Sequence, residues 1–392
     1  MIMINYCQNL WLRYRELEES ISRADSTLLV MNTTGDVEIL KGHIDAAQSA
    51  KDNLDNAWRE SCQKLTDGRE IFIPHYEVIR QIKEDNNLPD AWEEDVLSHL
   101  ILLDGAITEL DLRGSMIKNA GLAKIECLAK LHTLEILNLD RVSCEKLDFL
   151  RKLPNLKTLL LSGAKEIGWL DSLPKLELLS IENSKIDDLT PLSRAKLKGL
   201  ALDWTPFRDL AILMPMKDTL EVISLNNTGI RQLELIKEFK KLTELYLNGA
   251  SGDPDSIGKL TDLTILEADE TDFINYNFLV HLTNIEELSL KNSTIVDLKP
   301  LAGLSNLRTL NLGNQLDTPT MEAQPDFLEP LANLNIENLH IRDSNDFYQN
   351  VDFSPLLKLN KLESLGLWRT NISGLQDQVI EQLRTNQVKV YE

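Results

Sequence analysis

One spacing governs what this chain can fold into. From Ile107 onward the pattern L-x-x-L-x-L returns twelve times, with Ile or Ala in some of the apolar places. The first copy is Ile107, Leu110 and Leu112; the last is Leu362, Leu365 and Leu367. Successive first positions lie 27, 22, 20, 21, 23, 22, 21, 22, 22, 29 and 26 residues apart, so eight consecutive steps fall within 20–23. Leucine usage breaks at the same place, with 11 in residues 1–100 and 62 in residues 101–392. A fixed period of this length is the mark of stacked, similar coils rather than of separate globular domains.

The physics of one copy explains the stacking. The second and third apolar residues are two apart, so they point to the same side of an extended strand while the residue between them points away. A second apolar group follows in the same copy, as in Asn183-Ser184-Lys185-Ile186-Asp187-Asp188-Leu189-Thr190-Pro191-Leu192. Such a unit has one apolar side and cannot bury it alone; stacked copies bury it against each other. The expected fold class is α/β: a solenoid of about twelve coils, with a parallel sheet on the concave side and short 3₁₀ turns on the convex side. The turns follow because Asp-Leu-x-Pro-Leu leaves little room for a helix.

The best-formed copies are residues 176–192 (LELLSIENSKIDDLTPL), 220–233 (LEVISLNNTGIRQL) and 285–301 (IEELSLKNSTIVDLKPL). They resemble the leucine-rich repeat family, and within it the 22-residue, internalin-like bacterial subtype. The resemblance covers roughly residues 107–370 and implies a leucine-rich repeat solenoid. One departure stands out. Where the family stacks an Asn that hydrogen-bonds backbone inside the coil, this chain has Ser184, Thr205, Thr228, Thr271, Ser293 and Thr370. A hydroxyl does part of that work.

Residues 1–66 read as an antiparallel helical hairpin of coiled-coil character. Leu10, Tyr14, Leu17, Ile21, Ala24 and Leu28 form one seam, and Val37, Leu40, Ile44, Ala47, Leu54 and Trp58 another. Two helices bury little, so the hairpin is expected to pack on the solenoid, self-associate or bind a partner. Residues 67–106 read as a helical cap, with helices over 76–86 and 91–103. The second ends in the apolar run Leu100-Ile101-Leu102-Leu103, which would seal the open end of the solenoid over 107–392.

Charge narrows the function. Against 41 Lys and Arg stand 62 Asp and Glu, a net −21, and the pI is near 4.8. That argues against nucleic acid or an anionic membrane surface as partner, since both demand a basic face. No apolar run reaches the roughly 20 residues of a membrane helix. Residues 1–11 lack the pattern of a secretory signal. The four cysteines, Cys7, Cys62, Cys127 and Cys144, are scattered and form no CxxC pair. A cytoplasmic chain with free thiols is the expectation.

Motifs of catalysis are missing. The six histidines make no HExxH, and there is no GxxxxGK[ST], GxGxxG or GxSxG. The C-x-D pattern of bacterial ubiquitin ligases that carry leucine-rich repeats is absent as well. Gly252-Asp253-Pro254-Asp255 reads as a solvated turn, because the other ligands of a calcium loop are missing. No cofactor or metal is expected. An enzyme would have to use the N-terminal helices, with His75 and Cys62 as the residues to test.

Three positions per copy face the concave side: those flanking the second anchor and the one after the third. In the middle copies they bring together Glu182, Asp203, Asn226, Glu244, Tyr246, Asn248, Glu267 and Asp269, with Trp204 one position on. These nine are the expected partner-binding residues, and Ile136, Leu160 and Leu178 add an apolar strip. Such a surface fits a protein partner, and the charge favours a basic one. The main expectation is a non-catalytic interaction module, in one version a bacterial immunity protein capping a basic toxin such as a nuclease. The alternatives are an exported effector that binds host proteins and an enzyme of unrecognised type. The insertion over 315–326 reads equally as a binding loop or as a tolerated surface loop.

Overall fold

The computed structural model describes residues 45–46, 48–49, 52, 62–113, 122–142, 146–293, 295, 297–312, 324–341, 348–368, 370 and 374–392. Two compact units emerge, one within residues 1–158 and 172–175 and one comprising 159–171 and 176–392.

In the first unit, strands β1 (Cys62–Lys64) and β2 (Glu70–Phe72) pair antiparallel around a turn that contains Gly68 at φ +89°. Helix α1 (Ile73–Asp85) carries Pro74 in its first turn, where the missing N–H costs nothing. It buries His75, Val78, Ile79 and Ile82, one helical face. Helix α2 (Asp90–His99) follows Pro89 and buries Trp92, Glu93 and Val96. The Arg69 guanidinium, held by Asp67, donates to the carbonyls of Leu97 and Leu100, which satisfies the C-terminal end of α2.

The sequence expectation of a helix over 91–103 is corrected at its end. The chain leaves the helix after His99, and Ile101–Leu103 is strand β3. It runs antiparallel to β4 (Ala106–Asp111) across Asp104 and Gly105, both at positive φ. That is the Asp-Gly turn of a tight hairpin, and it overrides the helical spacing before it. The apolar run covers the edge of β4 by backbone pairing, with Ile101 still 51% exposed. Strand β5 (Ile136–Leu139) lies parallel to β4 with Leu137 opposite Leu110. The helical hairpin expected over 1–66 lies outside the described residues except at two places. Asp45, Ala46, Gln48, Ser49 and Asp52 are helical and exposed, whereas Cys62–Lys64 is a strand.

The second unit carries β6 (Thr158–Ser162), β7 (Leu178–Glu182), β8 (Gly199–Ala201), β9 (Val222–Ser224), β10 (Glu244–Tyr246), β11 (Ser251–Gly252), β12 (Ile265–Glu267), β13 (Asp272–Phe273) and β14 (Glu287–Ser289). It continues with β15 (Thr309–Asn311), β16 (Asn338–His340), β17 (Ser364–Gly366) and β18 (Lys389–Tyr391). Strands β11 and β13 form a small parallel pair of their own. The rest build a parallel sheet in which Leu179, Leu200, Ile223, Leu245, Leu266, Leu288, Leu310, Leu339 and Leu365 stand opposite one another in sequence. Every anchor of the twelve copies is at most 7% exposed. At about 2–5 kcal/mol for truncating one such Leu to Ala, the anchors dominate stability.

Three 3₁₀ turns show why their copies carry Asp-x-x-Pro. Thr190–Arg194, Lys299–Leu301 and Ser354–Lys358 each begin where an Asp side chain accepts a backbone N–H: Asp188 from Thr190 at 2.9 Å, Asp297 from Lys299 at 2.9 Å and Asp352 from Ser354 at 2.8 Å. Pro191, Pro300 and Pro355 sit in the first turn, where no N–H is needed. Helix α3 (Leu375–Thr385) takes the place of the 3₁₀ turn in the last coil, with Ile380 and Leu383 buried. Gln376 Nε2 donates to the carbonyls of Tyr348 and Val351. Strand β18 then sets Val390 opposite Leu365, a thirteenth rung that the apolar pattern does not announce.

Candidate functional site

The outward row of the second unit's sheet contains eight of the nine expected residues, with Trp204 one position beyond it, and the nine divide by role. Just past the third anchor of four consecutive coils the strand ladder ends, and a short polar side chain continues it. Asp203 accepts from the Asn226 N–H at 2.9 Å and from the Ser224 hydroxyl at 2.6 Å. Asn226 Oδ1 accepts from the Asn248 N–H at 2.8 Å, and Asn248 Oδ1 from the Asp269 N–H at 2.8 Å. Asp269 accepts from the Lys291 N–H at 2.8 Å and the Ser289 hydroxyl at 2.6 Å, and its other oxygen pairs with Lys291 Nζ at 2.9 Å. Asp269 is 8% exposed. Asp203, Asn226, Asn248 and Asp269 therefore tie coil to coil, each filling backbone valences that would otherwise be lost.

The other five are Glu182, Trp204, Glu244, Tyr246 and Glu267. Glu182 accepts from the Ser180 hydroxyl at 3.0 Å. Tyr246 donates its hydroxyl to Glu244 at 2.9 Å, and Glu267 accepts from Asn248 Nδ2 at 3.3 Å. Partial burial raises the Tyr246 phenol well above its ordinary range, and its hydrogen bond to Glu244 and the charges of Glu244, Glu267 and Glu287 push the same way. Glu287 thus joins the group; it stands one strand beyond Glu267 and is exposed. Trp204 is 60% exposed. The single cation of the row over β7–β14 is Lys291, already neutralised by Asp269. Towards β7 the row turns apolar, with Leu178 43% exposed and lying over Gly199, where a Cβ would meet Leu178 Cδ2 at 2.6 Å.

One residue further along, seven coils among the second unit's described residues turn a corner at positive φ: Gly163, Asn183, Trp204, Asn227, Gly249, Glu270 and Asn292. The hydroxyl column comes next. Thr205, Thr228 and Thr271 donate to the carbonyls of Leu202, Leu225 and Ala268, three residues back, at 2.6, 2.8 and 2.8 Å. Ser184 accepts from the Ala164 N–H at 2.9 Å, linking two coils. Thr370 donates to the Ile341 carbonyl of the previous coil.

The residues set aside for catalysis have structural tasks. His75 is 4% exposed, and its Nδ1 accepts the Ile107 N–H at 3.1 Å, which fixes the neutral imidazole with its proton on Nε2. Burial lowers its pKa to about 4, with a smaller contribution from His132. Cys62 packs half-buried against Phe72 and Ala106. Burial pushes the Cys127 thiol up to about 11, far from a thiolate nucleophile at neutral pH. Cys7 and Cys144, and residues 315–323 of the long insertion, lie outside the described residues. Among the described residues no three His, Cys, Asp or Glu side chains come together as a metal set. No helix among them is long and apolar enough to cross a membrane.

Strand row, left-handed corner and capped 3₁₀ turn, repeated coil after coil, define a leucine-rich repeat solenoid. The particular likeness is to internalins. The crystal structure of an internalin, InlF, from Listeria monocytogenes is similar over 79% of this chain and 90% of that one, at 24% identity and a TM-score of 0.56. For internalin C2 of the same species the shares are 56% and 83%, at 22% identity and 0.41. A leucine-rich repeat protein of Leptospira interrogans gives 69% and 81%, at 20% identity and 0.41. No protein-family model matches the chain, and neither does any curated protein.

Proposed function

We propose that this chain is a non-catalytic protein-interaction module that takes a basic protein partner on the outward face of the second unit's sheet. One observation carries the reading. Tyr246 is set among three carboxylates from three successive strands, Glu244, Glu267 and Glu287, and the one cation of that row is already spent on Asp269. Unbalanced negative charge on a rigid, partly apolar surface attracts a Lys- or Arg-rich partner and speeds encounter by about 10–10³-fold at low salt. The finer reading is an immunity protein that acts in the cytoplasm by capping a basic toxin domain, with a nuclease as the example that fits an acidic cover best. Co-expression with the products of adjacent genes tests it. A stoichiometric complex with one of them, and rescue of cells from its toxicity, is the expected result. Failure to protect against any of them would sink the immunity role while leaving the interaction surface to be tested by mutation.

A further inference from the structure

Resting on that reading, we infer that Trp204 and Glu270 are the two poles of partner recognition: an apolar anchor and a cation-binding corner spaced along one edge of the sheet face. Both stand in the corner column, whose other members in the second unit's described residues are Gly163, Asn183, Asn227, Gly249 and Asn292. The column turns at φ of +51° to +74°, a conformation that Gly and Asn adopt with ease and that a bulky side chain adopts under strain. Within the second unit Trp204 at +58° and Glu270 at +56° are the two exceptions; in the first unit Arg141, at the equivalent place after Leu139, turns at +61°.

Backbone alone would be better served by Asn at either place, since both corners make the same bond as their neighbours. Trp204 N–H donates to the Asn226 carbonyl at 2.9 Å and Glu270 N–H to the Lys291 carbonyl at 2.7 Å, just as Asn227 N–H donates to the Asn248 carbonyl at 2.7 Å. Neither large side chain is taken up by the core, for Trp204 is 60% exposed and Glu270 is exposed. Strain that the fold does not require, kept under an exposed side chain, points to a use outside the fold.

The face beside each pole matches it. Leu178, Ala201 and Val222 lie on the strands at the Trp204 end, and Glu244, Glu267 and Glu287 on those at the Glu270 end. Three strand steps separate the poles, about 14 Å at roughly 4.8 Å per strand. An extended segment spans that in about four residues. The occupant is thus a stretch of the basic partner carrying an aliphatic or aromatic side chain about four residues from a Lys or Arg.

The test uses the full chain and fluorescein-labelled synthetic peptides with one Leu and an Arg-Lys pair separated by one, three or seven Gly/Ser residues. Binding is expected to be tightest for the three-residue spacer. Trp204→Asn should weaken that peptide about tenfold and leave a Leu→Ser version of it unchanged. Glu270→Asn should weaken both. Each variant should melt about 1–3 °C higher than the parent, because the corner strain is relieved. Affinity independent of spacing, no binding by any peptide, or a Trp204→Asn variant that binds like the parent overturns the proposal. A triple change of Glu244, Glu267 and Glu287 to Lys separates the two levels. If it abolishes binding of the basic peptides while both corner variants are inert, only the poles are wrong; if it too is inert, the acidic face is wrong as well.

Discussion

Thr228 and Ser293 occupy equivalent places in their coils and differ in what their hydroxyls do. Thr228, 1% exposed, donates to the Leu225 carbonyl at 2.8 Å, whereas the Ser293 Oγ is buried with no hydrogen-bond partner. Thr228→Val keeps the shape and removes the shorter of two bonds to the Leu225 carbonyl, which still accepts the Thr228 N–H at 3.3 Å, so it should cost about 1 kcal/mol. Ser293→Ala should cost less than about 0.5 kcal/mol or stabilise slightly. Denaturant titration of the two variants gives the comparison, and equal losses would contradict it. The hydroxyl column was legible in the sequence as a substitute for stacked Asn, but its bonds were only partly so. Three Thr hydroxyls close their own turn, and the coil-to-coil tie passes to Asp203, Asn226, Asn248 and Asp269. Those four read as partner contacts because acid and amide on an exposed strand face suggest recognition. Their recurrence at one register position in four consecutive coils was the sign of a structural rung. That recurrence marks them as serving the coil, whereas Trp204 and Glu270 depart from the Gly and Asn of their own column in the second unit.

At the scale of elements, the first unit depends on two small devices. Gly105 sits at φ +78° in the turn that reverses β3 onto β4. Gly105→Ala should destabilise by about 1 kcal/mol, read as a lower midpoint in thermal unfolding. The signal was present in the sequence, since Asp-Gly between apolar residues marks a hairpin, but the helical spacing of the residues before it concealed the change of period. His75 is the second device. Unfolded, its imidazole takes a proton below about pH 6.5; folded and buried, it does so only near 4. The unfolded state therefore binds the extra proton, and stability that is whole above about pH 6.5 falls as the pH drops towards 4, by about 3 kcal/mol at the limit. Below that, Asp188 and Asp352 add to the loss, because hydrogen bonds from Thr190 and Ser354 hold their carboxyls beneath the usual range. His75→Gln should flatten the pH dependence of unfolding between 6.5 and 4. A variant with the parent's slope would remove His75 from the account.

For the whole molecule, periodicity carried most of the information. Twelve registered copies were enough to place every anchor in the core, because a stacked coil has only one way to hide its apolar side. The coil of helix α3 and strand β18 was not readable in the same way, because it joins the sheet without the L-x-x-L-x-L spacing. Deleting residues 374–392 should uncover Leu365 and the edge of β17, and light scattering should report aggregation where the full chain stays dispersed. Charge was legible as a total of −21 but not as a place. The face around Tyr246 is where Glu244, Glu267 and Glu287 act together, and it is there that we propose a basic protein docks. The most direct test compares association rates of the partner captured by co-expression with the parent chain and with the Glu244→Lys, Glu267→Lys, Glu287→Lys variant, at low and high salt. Slower association is expected for the variant at low salt, by at least about tenfold, with the difference shrinking as salt rises. Equal rates at low salt, in a variant that melts like the parent, would contradict it.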